Sequence, residues 1–146
     1  MQEIQGNIWD QKCDWLCVTT NGIIKKNGCA VMGKGIALQA KQRYPYIDKI
    51  LAQKIQKNGN IVSPLIKVDG HCILSFPTKH HWKDSSDLEL IKESATQLKT
   101  HFDEQSEKPV VILPRPGCSN GKLDWADVKA IIEPILIDDN FLVISL

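Results

Sequence analysis

Two apolar runs in this chain are each followed by a glycine-containing loop, and this arrangement restricts the folds that the chain can adopt. Residues 14–20 form a continuous apolar and β-branched run that ends at the turn signal Asn21-Gly22, and residues 110–113 form a second run. Such runs are typical of strands that are buried on both faces of a sheet. We therefore expect a layered α/β fold with functional loops at its strand ends.

The rest of the chain alternates between helical and extended patterns. The spacing predicts helices over residues 34–43, 46–56, 88–101 and 124–136, the last with Pro134 near its end. Further strands are predicted at residues 61–62, 65–68, 71–76, 109–113 and 141–146. Asp69-Gly70 is predicted to form a hairpin turn, and Pro77 is predicted to end the preceding strand. Strands that alternate with helices, without a linker or a repeat, predict one α/β domain over residues 1–146.

The charge balance argues against a protein that binds nucleic acid through its overall charge. The chain has 18 Lys and Arg residues against 17 Asp and Glu residues, a net charge of +1. There is thus no overall attraction to nucleic acid or lipid headgroups, and any nucleic acid contact would be local. The N-terminal decapeptide is polar and does not resemble a secretory signal, so we expect a cytoplasmic protein without membrane association.

The cysteines are odd in number and predict reduced thiols. They are Cys13, Cys17, Cys29, Cys72 and Cys118. The separation of Cys13 and Cys17 lacks a matching second pair, so we expect no metal site. Cys118 lies in a glycine loop, where it is either a structural thiol or a nucleophile, and the lack of an evident base favours the structural role.

The two glycine loops suggest a site for a diphosphate. Gly33 and Gly35 lie where an extended segment is predicted to become a helix, and the loop at residues 117–121 repeats this arrangement near the other end of the chain. Backbone N–H groups at a helix start attract anions, and glycine allows a ligand to approach the backbone closely. The two loops together predict a diphosphate bridged between them.

These features resemble the macro domain, an ADP-ribose-binding module, over essentially the whole chain. Gln5-Gly6-Asn7-Ile8 resembles the family's Gly-Asp-Ile start, whose acidic residue hydrogen-bonds the adenine amine. Asn7 stands in its place and carries no charge, although its amide oxygen can still accept. Thr20-Asn21-Gly22 resembles the segment whose asparagine binds the distal ribose. The resemblance implies a three-layer α/β/α sandwich with a mixed central sheet.

The same resemblance implies a ligand site and its residues. Residues 32–37 resemble the family's substrate loop, and residues 116–125 resemble its second phosphate loop. The ligand or product would be ADP-ribose, with no cofactor and no metal. The implied ligand-binding residues are Asn7, Ile8, Thr20, Asn21, Met32, Gly33, Lys34, Gly35, Ile36, Ala37, Thr78, Pro116, Gly117, Cys118, Ser119, Asn120, Gly121, Lys122 and Leu123.

Residues 76–82 resemble one branch of the family, the DarG-like DNA ADP-ribosylglycohydrolases, and more distantly the terminal ADP-ribose glycohydrolase of animals. In that branch the lysine that matches Lys79 is catalytic. The animal enzyme also has a catalytic aspartate in the second loop, at the position of Gly121. The resemblance therefore implies that Lys79 acts without a paired aspartate, either as a Schiff-base nucleophile on the opened ribose or through charge and hydrogen bonding. Trp82 is either a packing residue or a platform at the pocket edge.

Three functions remain open at this point. The first is a glycohydrolase that removes ADP-ribose from DNA or protein, with DNA favoured by the resemblance. The second is a non-catalytic reader of ADP-ribose, and the third is a phosphatase for ADP-ribose 1''-phosphate. The implied partners are ADP-ribose or an ADP-ribosylated macromolecule and a cognate ADP-ribosyltransferase, with the protein itself a monomer.

Overall fold

The computed structural model describes all residues from Met1 to Leu146. Its strands are β1 (Gln2–Gln5), β2 (Trp15–Asn21), β3 (Ser63–Val68), β4 (His71–Lys79), β5 (Val111–Pro114) and β6 (Phe141–Ser145). Its α-helices are α1 (Gly35–Arg43), α2 (Ile47–Asn58), α3 (Leu88–Asp103) and α4 (Trp125–Ile132), and a short 3-10 helix covers Ile8–Asp10. No helix combines the length and the apolar character needed to cross a bilayer.

The six strands form one mixed sheet in the order β1-β6-β5-β2-β4-β3. All neighbouring pairs are parallel except β3 and β4, which are antiparallel. The hairpin between these two turns at Asp69 and Gly70, whose φ angles of 52° and 82° are those of a type I′ turn. The predicted Asp-Gly turn is therefore confirmed.

Helices cover both faces of the sheet, and β2 shows how its sequence serves both. Cys17 packs into the apolar cluster formed with α3 and α4, whereas Leu16 and Val18 pack into the cluster formed with α1 and α2. All three side chains are almost fully buried. Because successive side chains of a strand point to opposite faces, a continuous apolar run fits only a strand covered on both sides. The predicted three-layer α/β/α sandwich with a mixed sheet is confirmed.

The prediction that Pro77 ends a strand is wrong, because β4 continues to Lys79. The pairing with β3 stops at Ser75, opposite Ser63, while the pairing with β2 goes on through Pro77 opposite Thr20. Beyond Ser75 one side of β4 therefore has no neighbouring strand, and proline is tolerated where its missing N–H leaves no ladder bond unmade. This extension carries Thr78 and Lys79 to the carboxyl end of the sheet.

Three smaller differences also have physical causes. Residues 61–62 are not a strand, since the N–H of Val62 donates to the side-chain oxygen of Gln97. Helix α4 ends at Ile132 instead of continuing to residue 136, because Pro134 cannot donate a helical hydrogen bond. Strand β1 was not predicted, since its sequence Gln-Glu-Ile-Gln contains a single apolar residue.

Candidate functional site

A cleft of about 1370 Å³ opens at the carboxyl ends of the parallel strands. Its walls include the last residues of β2 and β4, namely Thr20, Asn21, Thr78 and Lys79, together with Pro114 at the end of β5. In open α/β sheets this is the edge where ligands bind, because the loops that follow the strands surround a crevice there. The cleft is therefore where the predicted loops meet.

Most of the residues implied by the resemblance line this cleft. They are Asn7, Ile8, Thr20, Asn21, Met32, Gly33, Lys34, Gly35, Ile36, Ala37, Thr78, Lys79, Gly117, Cys118, Ser119, Asn120 and Gly121. Three others lie outside the lining, namely Pro116, Lys122 and Leu123. Pro116 is buried and Lys122 is exposed, while Leu123 packs against the core cluster below the loop. The structure thus brings residues 117–121 of the second loop to the cleft.

Helix α1 begins in the wall of the cleft. Lys34 precedes its first turn, and no side chain caps the N–H groups there. The first N–H groups of a helix have no partner within the helix, and the helix dipole places partial positive charge at this end. Gly35, Ile36 and Ala37 form this first turn and line the cleft. The turn can therefore receive an anion without a cationic side chain.

The side chain of Lys79 connects the end of β4 to the loop at residues 117–121. Lys79 is the last residue of β4 and is half-buried, and its Nζ donates to the carbonyl oxygen of Asn120 at 3.4 Å. No carboxylate lies within salt-bridge distance of this ammonium. A cation without a paired carboxylate remains available to an anionic ligand or to charge that develops during a reaction.

The residues after Lys79 are fixed to the start of α3. His80 Nε2 lies 3.0 Å from Asp87 Oδ2, and Asp87 Oδ1 accepts from the N–H of Glu89 at 2.9 Å as the N-cap of α3. The Asp87 N–H donates to the Thr78 carbonyl at 2.9 Å. Burial tends to raise the pKa of Asp87, but the hydrogen bonds with His80 and with the helix N–H groups outweigh it and lower this pKa. The turn from residue 80 to residue 87 is thereby closed at both ends.

The electrostatic character of the cleft differs from that of the whole chain. Five of its lining residues are cationic, and none is Asp or Glu. The five are Lys25, Lys34, Arg43, Lys79 and Arg115. A cleft lined by charge of one sign concentrates the field and attracts ligands of the opposite sign. The lining of the cleft is therefore cationic, although the net charge of the whole chain is close to zero.

Several residues of the cleft were not predicted from the sequence. Trp9 Nε1 donates to Gln39 Oε1 at 2.8 Å, and the guanidinium of Arg43 lies 4.6 Å from the centre of the Trp9 ring. All three line one end of the cleft. Gln39 and Arg43 are four residues apart on α1 and therefore lie on the same face of the helix, which the sequence alone could have indicated. Their meeting with Trp9, thirty residues away, was not visible in it.

The side chains of two asparagines in the cleft form hydrogen bonds with the backbone of its loops. Asn7 Oδ1 accepts from the N–H of Trp9 at 3.0 Å, so its side chain caps the short 3-10 helix. Asn21 Oδ1 accepts from the N–H of Ile23 at 3.1 Å, while its Nδ2 donates to the Val31 carbonyl at 3.3 Å. Each amide retains an N–H that these bonds do not use. Both side chains can therefore shape the loops and still contact a ligand.

Two hydroxyl groups in the walls of the cleft have no hydrogen-bond partner. Thr20 and Ser86 are 5% and 7% exposed, and their oxygen atoms are buried without a partner. Both residues line the cleft. A buried hydroxyl without a partner costs free energy, so a polar ligand that reached it would recover that cost.

The chemistry of Cys118 does not fit a nucleophile. Burial raises the pKa of its thiol, although the nearby Arg115 opposes this effect. Its Sγ lies 3.5 Å from the carbonyl oxygen of Pro116, and no base is hydrogen-bonded to it. Since the thiolate is the reactive form, a raised pKa favours a structural thiol. No group of three or more His, Cys, Asp and Glu side chains is arranged to hold a metal ion.

Known proteins are similar to this chain in sequence and in fold, although no family model matches it. The DNA ADP-ribosyl glycohydrolase of Mycobacterium tuberculosis is 34% identical over 123 residues, which are 80% of this chain and 35% of that protein. The ADP-ribose glycohydrolase OARD1 of Bos taurus is 30% identical over 104 residues, which are 71% of this chain and 66% of that protein. The chain thus spans about a third of the mycobacterial relative's length.

A solved structure extends the likeness to the whole chain. The macrodomain of Mycobacterium tuberculosis DarG matches with a TM-score of 0.79 and 28% identity, and the match covers 99% of this chain and 97% of that one. Both the sequence and the arrangement of layers therefore agree with the resemblance found in the glycine loops and in residues 76–82. The chain belongs to the macro domain family and is a DarG-like member of it.

Proposed function

We propose that the protein binds ADP-ribose and hydrolyses ADP-ribosyl linkages, with ADP-ribosylated DNA as its substrate class. The observation that carries the proposal is the cleft itself, with five cationic residues and no Asp or Glu side chain in its lining. The diphosphate of ADP-ribose is a dianion, and the start of α1 offers it free N–H groups beside the loop at residues 117–121. The names of the relatives support the choice of ligand and reaction.

In the reaction, the bond between the anomeric carbon of the distal ribose and the leaving group breaks. Water supplies the hydroxyl group of the freed ADP-ribose and the proton of the leaving group. Lys79 is the one cationic side chain that bridges the end of β4 and the second loop, so we assign it the catalytic role. Holding the diphosphate on both loops would position the distal ribose and reduce the entropic part of the barrier.

Two chemical roles for Lys79 can be separated by experiment. As a nucleophile, its amine attacks the anomeric carbon of the opened ribose, the leaving group departs, and water then hydrolyses the imine. Borohydride would reduce this imine to a stable secondary amine, which adds the mass of an ADP-ribosyl group plus two hydrogens to Lys79. If Lys79 acts through charge alone, borohydride gives no adduct, and Lys79→Arg retains part of the turnover.

The choice of DNA as substrate class is supported by relatives whose names specify DNA. A DNA ADP-ribosyl group must first be installed, so the implied partner is an ADP-ribosyltransferase that modifies the same strand. The five free cysteines support a reducing, cytoplasmic compartment for this activity.

The first experiment measures turnover of a single-stranded oligonucleotide that carries one ADP-ribosylated base. We expect release of ADP-ribose by the wild type and a loss of about 100-fold or more in Lys79→Ala. Calorimetry with ADP-ribose should still show binding by that variant. The matched control is Lys92→Ala, which removes an exposed lysine of α3 that does not line the cleft. Equal turnover by the wild type and Lys79→Ala would contradict the assignment.

A second function has one observation in its favour. The resemblance places Gly121 where the animal enzyme has its catalytic aspartate, and no Asp or Glu side chain lines the cleft to act as a base. A reader of ADP-ribose would have such a cleft. Binding of ADP-ribose without release from any ADP-ribosylated oligonucleotide or peptide would identify a reader, and release of phosphate from ADP-ribose 1''-phosphate would identify the phosphatase.

A further inference from the structure

The indole ring of Trp82 lies at the edge of the cleft, three residues after Lys79. Trp82 is 47% exposed, and it also belongs to the cleft lining. The other exposed aromatic residue, Tyr46, is 51% exposed and lies outside the lining. Single exposed aromatic rings are common at protein surfaces, so exposure together with a place in the wall of the cleft is what distinguishes Trp82. Its place beside the proposed catalytic lysine points to the part of the substrate that extends out of the cleft.

The turn holds the Trp82 ring in a fixed setting. The His81 ring stacks on it with centroids 5.5 Å apart and an interplanar angle of 29°. His81 Nδ1 accepts from the Lys83 N–H at 3.1 Å, and the His81 carbonyl accepts from the Asp84 N–H at 3.1 Å. Since His80 is tied to Asp87, both ends of this turn are anchored. An aromatic ring that is fixed before binding loses little entropy when a ligand stacks on it.

A cation accompanies the ring. Lys83 Nζ lies 5.2 Å from the centre of the Trp82 ring, and Lys83 has no salt-bridge partner. Proteins that bind single-stranded nucleic acid combine aromatic rings, on which the bases stack, with cations that neutralise the phosphates. Trp82 and Lys83 form such a combination. A peptide that carries ADP-ribose on a carboxylate offers no base to this ring.

We infer that Trp82 stacks on a nucleobase of the ADP-ribosylated strand and thereby selects ADP-ribose linked to single-stranded nucleic acid over ADP-ribose linked to protein. The inference rests on the proposed function and adds to it the residue that distinguishes the two macromolecules. Stacking requires an unpaired base, so duplex DNA is a poorer substrate than a single strand.

The test measures binding in the Lys79→Ala background, where the substrate is not consumed. Three probes are titrated: free ADP-ribose, an ADP-ribosylated single-stranded oligonucleotide, and an ADP-ribosylated peptide. We expect the oligonucleotide to bind about tenfold more tightly than free ADP-ribose. Adding Trp82→Ala should remove most of this ratio, and Trp82→Phe should retain most of it, since phenylalanine still offers an aromatic face.

Tyr46→Ala is the matched control, because it removes an equally exposed aromatic ring outside the cleft and should leave the ratio unchanged. The inference is overturned if Trp82→Ala leaves the oligonucleotide ratio as it was, or weakens the peptide and the oligonucleotide equally. It also falls if the Lys79→Ala protein binds no ADP-ribose, but that result contradicts the proposed function as well. Equal affinity for ADP-ribose and the oligonucleotide contradicts the stacking alone.

Discussion

A methyl group added to Gly35 would lie 2.8 Å from Nδ2 of Asn120. Gly35 is the first residue of α1, and Asn120 belongs to the loop at residues 117–121, so the two glycine loops meet at this point. Gly35 also has a φ angle of +57°, in the left-handed region that favours glycine. Glycine at this position thus serves mainly the backbone conformation, and the Asn120 side chain lies where a larger residue would extend.

We predict that Gly35→Ala destabilises the protein and weakens binding of ADP-ribose. The left-handed conformation alone should cost an alanine about 1–2 kcal/mol in the free energy of unfolding. The contact with Asn120 adds little, because its Nδ2 is the end of an exposed side chain that can turn away, but the strained backbone alters the first turn of α1, which lines the cleft. Urea denaturation measures the first effect, and calorimetry with ADP-ribose measures the second.

Gly33→Ala is the matched control for stability, since it changes a glycine of the same loop. No atom lies within 4 Å of a Cβ added there, and its φ angle is not in the left-handed region. Its free energy of unfolding should change by less than about 0.5 kcal/mol. Adding Asn120→Ala to Gly35→Ala should recover little of the loss, because the cost lies in the backbone of Gly35. Equal stability of the two single variants would contradict the cost of the left-handed backbone at Gly35.

A second prediction concerns the aspartate that the second loop lacks. A Cβ on Gly121 would lie 2.7 Å from the carbonyl carbon of Gly117 and would collide with Ser86 Oγ. We therefore expect Gly121→Asp to lower the free energy of unfolding by about 2 kcal/mol or more through overpacking. It should also reduce turnover, because a carboxylate cannot enter this backbone without displacing the loop.

The control places the same carboxylate two residues earlier. Ser119 is exposed in the same loop, so Ser119→Asp should change the free energy of unfolding by less than about 0.5 kcal/mol. Thermal denaturation of the two variants in parallel makes the comparison. A Gly121→Asp protein that is as stable as the wild type and more active would contradict the prediction, because it would show that the loop accommodates an aspartate at this position.

A third prediction concerns Asp87 and pH. The pKa of this carboxyl lies below its ordinary value of 3.8 in the folded protein, so its charged form stabilises the fold above that pH. The contribution is lost as pH falls through the lowered pKa. We expect Asp87→Asn, which still caps α3, to be less stable than the wild type by about 0.5 kcal/mol at pH 5 and equally stable near pH 2.

Urea denaturation at several pH values between 2 and 5 measures this difference, in which the titration of other groups cancels. Asp84→Asn is the control, because Asp84 is an exposed carboxylate of the same turn without a salt bridge. This variant measures what the loss of an exposed carboxylate from this turn does to stability by itself. A constant difference for Asp87→Asn would mean that the His80 contact does not stabilise the charged carboxyl.

The sequence predicted the strands that are buried on both faces and the loops that follow them, because apolar runs and glycines are local signals. It did not predict that β4 continues past Pro77, since proline is tolerated there only because β3 has already ended. It also did not predict β1, whose polar sequence forms a strand through its pairing with β6. Both errors concern residues whose structure depends on neighbours distant in sequence.

The residues of the candidate site also fall into those that the sequence predicted and those that it did not. Glycines and the lysine of the Thr78-Lys79 segment were visible from their motifs, whereas Trp9 and Arg115 reach the cleft from elements that carry no motif. The cationic character of the cleft was invisible in a net charge of +1. The acidic residues of the chain lie outside the lining of the cleft. Glu3 is an example, and its Oε1 lies 3.6 Å from Nη2 of Arg115.

This segregation of charge leads to a fourth prediction, that binding of ADP-ribose weakens with salt. The Debye length falls from about 10 Å at 0.1 M to about 3 Å at 1 M ionic strength, so distant lysines of the cleft cease to attract the diphosphate. We expect the dissociation constant to rise about fivefold over this range, measured by calorimetry in sodium chloride. Adenosine lacks the diphosphate, so its affinity for the same cleft should stay nearly constant. If both ligands responded equally to salt, the cations would act on the protein as a whole and not on the diphosphate, and the cleft's charge would no longer support a dianionic ligand.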